Sequence, residues 1–305
     1  MAWLAGSFAA AQEAGVAEQC EELVGRAMRQ ARVLPSGDRG WAAAHRDLGR
    51  VLWACGRLEE AEAAYRRSLE LWHGGGVTDD RSPAEAAMEL AVLCLDGGRP
   101  EAAARVLERI GPAVEAGGSR AGLRADWEYL SGVAAWARGA MAEAERRLLA
   151  AGRGWQLEGG RRVDRLVHLH AALARIREAA GKRDRAREHV AEGLALAEGL
   201  KPESSEAEAR AVIHLASVHE LLADARLEEP LVRRAMEAGA RYPSVPAAVR
   251  AFLAECYAGV LKRLGRKGEA KRARAEARRL RSAAAESARR RHAVDYRDLL
   301  RAAKK

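Results

Sequence analysis

Small and apolar residues recur along this chain in one figure: a Gly or Ala at a turn, an Ala about five residues on, and a bulky apolar side chain four residues after that. The figure returns seven times, with turns at Gly15, Gly56, Gly98, Gly139, Gly181, Ala223 and Gly265, so successive turns are 41, 42, 41, 42, 42 and 42 residues apart. A stride of this size marks a solenoid of stacked supersecondary units. Breaks rich in Pro and Gly fall at the same period, as in Leu34-Pro35-Ser36-Gly37-Asp38, Gly74-Gly75-Gly76, Gly117-Gly118-Ser119, Gly159-Gly160, Lys201-Pro202-Glu203-Ser204-Ser205 and Tyr242-Pro243-Ser244-Val245-Pro246. These residues interrupt helical periodicity, and a Ser or Asp just after them can cap the next helix. The pattern predicts fourteen helices in seven hairpins.

The second copy is the clearest: Leu48-Gly49 on its first helix, Gly56 at the turn, then Ala61, Tyr65 and Ser68 on its second. Other copies show Leu90-Ala91 with Ala103, Leu107 and Ile110; Gly132 with Ala144, Leu148 and Ala151; and Leu173-Ala174 with Ala186, Val190 and Gly193. In the sixth, Leu215-Ala216 goes with Val232 and Ala235, but Glu228 stands where Ala is expected. In the seventh, Tyr257-Ala258 goes with Ala270 and Ala277, but Arg274 stands where an apolar residue is expected. The first copy departs furthest, with Phe8 for Gly and Cys20 for Ala. Two antiparallel helices approach closely only where one presents a small side chain, so Gly49, Ala91 and Gly132, with Ala61, Ala103 and Ala144, are expected at crossings, with bulky partners filling the space beside them.

These residues resemble the tetratricopeptide repeat (TPR), in a long-unit form of about 42 residues of bacterial type. The resemblance implies an all-α, right-handed superhelical solenoid of about seven TPR-like helix hairpins over residues 1–281, followed by a basic C-terminal extension at 282–305. It also implies a concave surface built mainly from the first helix of each unit, and a role in holding protein or peptide partners.

Composition agrees with helices. Ala, Leu, Arg and Glu dominate, while Ile, Val, Thr, Phe and Tyr are too sparse for an extended β-sheet. Ordering one unit costs on the order of 60 kcal/mol at about 1.5 kcal/mol per residue, so a lone unit should not fold and stability must come from the stack. Residues 1–15 lack a basic start and are broken by Gln12 and Glu13, so they read as a first helix rather than a secretory signal. No apolar stretch reaches membrane-spanning length. Cys20, Cys55, Cys94 and Cys256 have neither metal-knuckle nor paired-disulfide spacing and read as buried thiols of a cytoplasmic protein; the wealth of Ala and Arg suggests a GC-rich bacterial genome.

Catalytic signatures do not hold up. His45-Arg46-Asp47-Leu48 imitates a kinase catalytic loop, but no glycine-rich loop precedes it and no Asp-Phe-Gly follows. His168 and His170, two apart on a helix, point in different directions, and His214 and His219 fit one metal poorly. His219-Glu220 is followed by Ala223 where a zincin would place its second His. The expectation is a non-enzyme without cofactor or metal.

In the TPR frame, positions three, six and ten residues before each turn line the inner surface. Units two to four place Trp53, Met88, Val92, Leu95, Tyr129, Val133 and Trp136 there, and units five to seven mostly charged or small residues. An apolar patch with aromatic anchors is the usual mark of a partner site, so a peptide or helix groove is expected in units two to four. Trp72 and Trp155, near the ends of their second helices, are expected to pack against loops. Charge is concentrated at the far end: residues 262–305 hold 17 Lys or Arg against 5 Asp or Glu, a balance of +12, so the net +9 leaves −3 for residues 1–261. The basic residues Lys271, Arg272, Arg274, Arg278, Arg279, Arg281, Arg289, Arg290 and Arg291 suit a polar capping helix, an acidic protein partner or nucleic acid. A protein-interaction adaptor, a nucleic-acid or acidic-partner binder and a peptide-sensing regulatory subunit are the three readings in view.

Overall fold

The computed structural model describes the backbone of Glu22, Gly25, Arg29 and residues 39–54, 57–74, 81–116, 121–157, 162–242, 245 and 247–302, with side chains as far as residue 285. The turns expected at Gly15 and Gly56, most of the first unit, Cys20, Cys55 and most of the expected inter-unit loops lie outside the described residues. The helices run in order as α1 (Arg39–Ala54), α2 (Leu58–Gly74), α3 (Arg81–Asp96), α4 (Pro100–Ala116), α5 (Ala121–Ala137), α6 (Met141–Leu157), α7 (Val163–Ala179), α8 (Arg183–Ala197), α9 (Glu206–Ala216), α10 (Ala225–Arg241), α11 (Ala247–Arg263) and α12 (Lys267–Ala302). Glu22, Gly25 and Arg29 are also helical. Each odd helix pairs with the even helix after it, and successive hairpins stack, giving an all-α solenoid.

Two kinds of glycine build this stack. The first kind sits at the turns. Gly98, Gly139, Gly181 and Gly265 have φ of 68°, 81°, 73° and 76°, a left-handed conformation that costs a residue with a Cβ about 1 kcal/mol. The amide after each glycine reaches back five residues, Arg99 to Cys94 (2.8 Å), Ala140 to Ala135 (2.9 Å), Lys182 to Arg177 (2.8 Å) and Arg266 to Leu261 (2.9 Å), closing the helix end. A Cβ on any of the four would meet nothing within 4 Å, so the demand is on the backbone and not on space. Ala223 holds the same turn at φ 56° and is the one non-glycine with positive φ among the described residues.

The second kind sits at helix crossings and is selected by space. A Cβ on Gly49 would lie 2.9 Å from Tyr65 Cε1, and one on Gly132 would lie 2.9 Å from Leu148 Cγ and 3.2 Å from the Ala144 carbonyl oxygen. These are the crossings within hairpins, and Ala61, Ala91, Ala103 and Ala144 are fully buried at them. Gly111 against Trp127 (3.0 Å), Gly152 against Leu169 (2.7 Å) and Gly193 against Leu215 (2.9 Å) make the crossings between hairpins. Trp155 belongs to the first core, contrary to the loop-packing role expected of it, while Trp72 is buried and the loop after it lies outside the described residues. Each lies seven residues after the anchor of its helix, Tyr65 or Leu148, and two helical turns return a side chain to the same face.

The sixth hairpin departs from its neighbours. Its first helix stops at Ala216, Ser217 Oγ donates to the His214 carbonyl (2.5 Å), and the chain resumes as one turn of 3-10 helix, His219–Leu222. Glu228 stands where the other hairpins carry Ala, too large for a close crossing. Its carboxylate is buried against His219 Nδ1 (2.5 Å) and is also reached by Arg263 from the next hairpin. The buried apolar residues form one core from Leu48 to Ile176, a second from Val167 to Leu253 and a third of Ala258, Leu261, Ala270 and Ala273. Tyr257 Oη donates to Glu229 (2.9 Å) and Arg266 pairs with the same carboxylate (3.2 Å), so polar groups occupy the border before the third core.

α12 buries Ala270, Ala273 and Ala277 on one face. Lys271, Arg272, Arg274, Arg278, Arg279 and Arg281 all stand exposed, Arg279 beside Glu276 and Arg274 and Arg281 beside Glu255. The helix continues unbroken across the boundary expected at 281–282; the side chains of Arg289, Arg290 and Arg291 lie outside those described. No described helix is long and apolar enough to cross a membrane.

Candidate partner-binding groove

The first helices of the hairpins, α1, α3, α5, α7, α9 and α11, lie side by side and line a half-open cavity of about 1000 Å³. Every lining residue comes from one of these helices or from the residue flanking its end. Trp53, Met88, Val92, Tyr129, Val133 and Trp136 all line it. Leu95 does not: it is 2% exposed and sits in the first core. It shares the register of Trp53 and Trp136, but a leucine ends within the core, whereas an indole extends from core to cavity.

The cavity reaches further along the stack than units two to four. Positions thirteen before the turn, one heptad ahead of the six-before positions, supply Glu85, Asp126, His168, Arg210 and Phe252, and neighbouring positions add Ala172, His214, Val249 and Leu253. Seven residues are two helical turns, so extending the inner stripe by one heptad would have found this row. Phe252 is 46% exposed and gives the far end an apolar side chain where charged or small residues were expected.

Ion pairs tie the row of first helices together at a constant separation of 39 residues: Arg46 to Glu85 (2.8 Å), Arg50 to Glu89 through both carboxylate oxygens (2.9 and 3.0 Å), and Arg165 to Asp126. Asp126 also accepts from Arg162 (3.0 Å) and from Trp155 Nε1 (2.9 Å), so this carboxylate is fixed by three donors. Arg165 lies over the Trp155 ring at 5.8 Å, and Tyr129 packs on that ring at 5.3 Å between centroids. Burial pushes the Tyr129 hydroxyl up to about 12, so it stays protonated at neutral pH.

Beyond this apolar half, His168 Nδ1 and His214 Nδ1 meet at 2.9 Å, 46 residues apart in sequence, and Arg175 donates to the Ser217 carbonyl (3.0 Å). One imidazole must donate and the other accept, which two protonated rings cannot do. Burial holds His168 down to about 4, with Arg210 and Arg165 acting the same way, and burial with His168 and Arg175 holds His214 well below its usual value. Folded-state values below the unfolded 6.5 mean that unfolding takes up protons. Stability is therefore fully present above pH 6.5 and declines as pH falls through that value. Unfolding by urea at pH 5 and 7.5 is expected to show a loss of about 1 to 2 kcal/mol from His168, and His168→Asn should flatten that acid decline. An unchanged decline in the variant would contradict the assignment.

The thiol of Cys94 is buried and that of Cys256 half-buried. Both are free, and burial raises both, Cys256 to about 12, leaving them weak nucleophiles.

Residues 42–110 match the family profile described as tetratricopeptide repeat. In fold the chain is similar to BtubC from P. vanneervenii, at 20% identity and a TM-score of 0.59 over 74% of this chain and 91% of that one. It is also similar to the apo form of RapI, at 14% identity and 0.62 over 85% and 70%. A Rap protein complexed with competence and sporulation factor aligns at 16% identity and 0.58 over 88% and 72%. No curated protein matches the chain by sequence.

Proposed function

We propose that this chain, an all-α solenoid whose residues 42–110 match the tetratricopeptide repeat profile, is a non-catalytic interaction scaffold that holds a peptide or a helix of a protein partner in the groove of its first helices. The observation that carries this reading is the continuous cavity, apolar around Trp53, Met88, Val92, Tyr129, Val133 and Trp136, polar around His168, Arg175, Arg210 and His214, and apolar again at Val249, Phe252 and Leu253. Such a site takes large apolar anchors together with a few hydrogen-bonding groups placed between them. The lining charges, five arginines against four carboxylates, are close to balanced and select neither a strongly acidic nor a strongly basic ligand. Repeat solenoids of this fold act generally as scaffolds, and one protein of similar fold, Rap, was solved with competence and sporulation factor.

The test is selection of ligands from a random peptide library by the full chain, followed by hydrogen-exchange mapping of the bound complex. Enriched sequences should share aromatic or large aliphatic anchors and protect α3 and α5. Enrichment of nothing, or protection confined to the even helices, would overturn the reading. Binding of polyanions by α12 would give instead a steep loss with salt, with no change in the groove.

A further inference from the structure

Outside the groove, the fifth hairpin gathers three potential ligand atoms. His170 on α7 lies two residues from the groove-lining His168 and meets α8, where His189 and Glu192 stand three residues apart on one helix face. His170 Nδ1 is 3.3 Å from His189 Nδ1 and 3.0 Å from Glu192 Oε2, and His189 Nδ1 is 3.4 Å from that same oxygen. The triangle is nearly equilateral. Zinc bonds of about 2.0 to 2.2 Å at tetrahedral angles place ligand atoms about 3.3 to 3.5 Å from one another, so a cation about 1 Å above this triangle reaches all three with the helices where they stand.

The surroundings suit the same role. The imidazoles are 14% and 17% exposed, so packing holds their orientation, while Glu192 is 59% exposed and leaves an approach from solvent. Gly193 keeps the helices close, since a Cβ there would lie 3.3 Å from His170 Cβ. Burial lowers the affinity of His170 for a proton. A neutral imidazole is the form a metal needs.

We infer that His170, His189 and Glu192 form a binding site for one divalent transition cation of the zinc class, which would fasten α7 to α8 and keep a fourth position open to water. Two nitrogens and one carboxylate are a donor set suited to zinc and its neighbours rather than to calcium or magnesium.

The experiment titrates the full chain, stripped with chelator, with Co²⁺ alone and then with Zn²⁺. One Co²⁺ per chain should bind with the intense visible absorption of a four-coordinate ion, one equivalent of Zn²⁺ should displace it, and the thermal midpoint should rise with either metal. His189→Gln should weaken binding by about 100-fold or more, and Glu192→Gln by at least about 10-fold. His45→Gln, on α1, should leave binding as it was. The exposed position of Glu192 makes its variant safe for folding, which circular dichroism checks. Absence of stoichiometric binding, a pale six-coordinate cobalt spectrum, survival of binding in His189→Gln, or its loss in His45→Gln would each overturn the assignment.

Discussion

Trp53→Ala combined with Trp136→Ala should weaken capture of a groove ligand by about 100-fold to 1000-fold, from about 2 kcal/mol for each aromatic anchor removed from an interface. The two indoles line the cavity from α1 and α5, with α3 and its Met88 and Val92 between them. Both rings are only partly buried and sit at the margin of the first core, so the helical content should hold. Phe252→Ala, at the other end of the cavity, serves as the comparison and should cost less than about 10-fold for a ligand anchored between α1 and α5. Isothermal titration with peptides selected by the intact chain measures both variants and the parent. Equal affinities for the double variant and the parent would remove the groove from the binding reaction.

Gly132→Val should be the most damaging single substitution for the fold, with a loss of about 3 kcal/mol or more. Its Cβ would meet Leu148 Cγ at 2.9 Å and the Ala144 carbonyl at 3.2 Å. Leu148 is fully buried and the carbonyl is backbone, so neither can move aside without shifting α6. A repeat stack is stabilised by nearest-neighbour interfaces, and one hairpin forced apart also weakens its two contacts with the stack. Gly268→Ala is the matched control: nothing lies within 4 Å of its Cβ, φ is helical, and exchanging Gly for Ala in a helix should add about 0.5 to 1 kcal/mol. Urea midpoints of the two variants should move in opposite directions, and a Gly132→Val protein as stable as the parent would mean that α5 and α6 do not cross there.

The stacking was legible in the chain because its two requirements each leave one residue type. A left-handed turn admits Gly at little cost, and a close crossing admits Gly or Ala, so helix length alone sets the spacing at which they return. The inner stripe was legible in part, since Trp53, Val92, Val133 and Trp136 follow from the helical period counted back from those turns. The row of Glu85, Asp126, His168, Arg210 and Phe252 needed one more heptad, and Leu95 shows that register does not fix destination when side chains differ in reach. The histidine pairs were not legible. His168 meets His214 across α7 and α9, and His170 meets His189 across α7 and α8, and both meetings depend on how far each helix is rotated and shifted along its neighbour. Nor could Glu228 be assigned a partner from sequence, because the broken end of α9 is what brings His219 to it.

That broken end also gives the rod a weak place. A continuous oily spine would let strain spread evenly along its length, but the spine is broken on α11, between the second core and the third, and the buried carboxylate and its two basic companions lie close to that break. Loaded from either extremity, or bathed in rising urea, the molecule should therefore part first at that wet seam, and peel from its tail while the aromatic half stays closed around its guest.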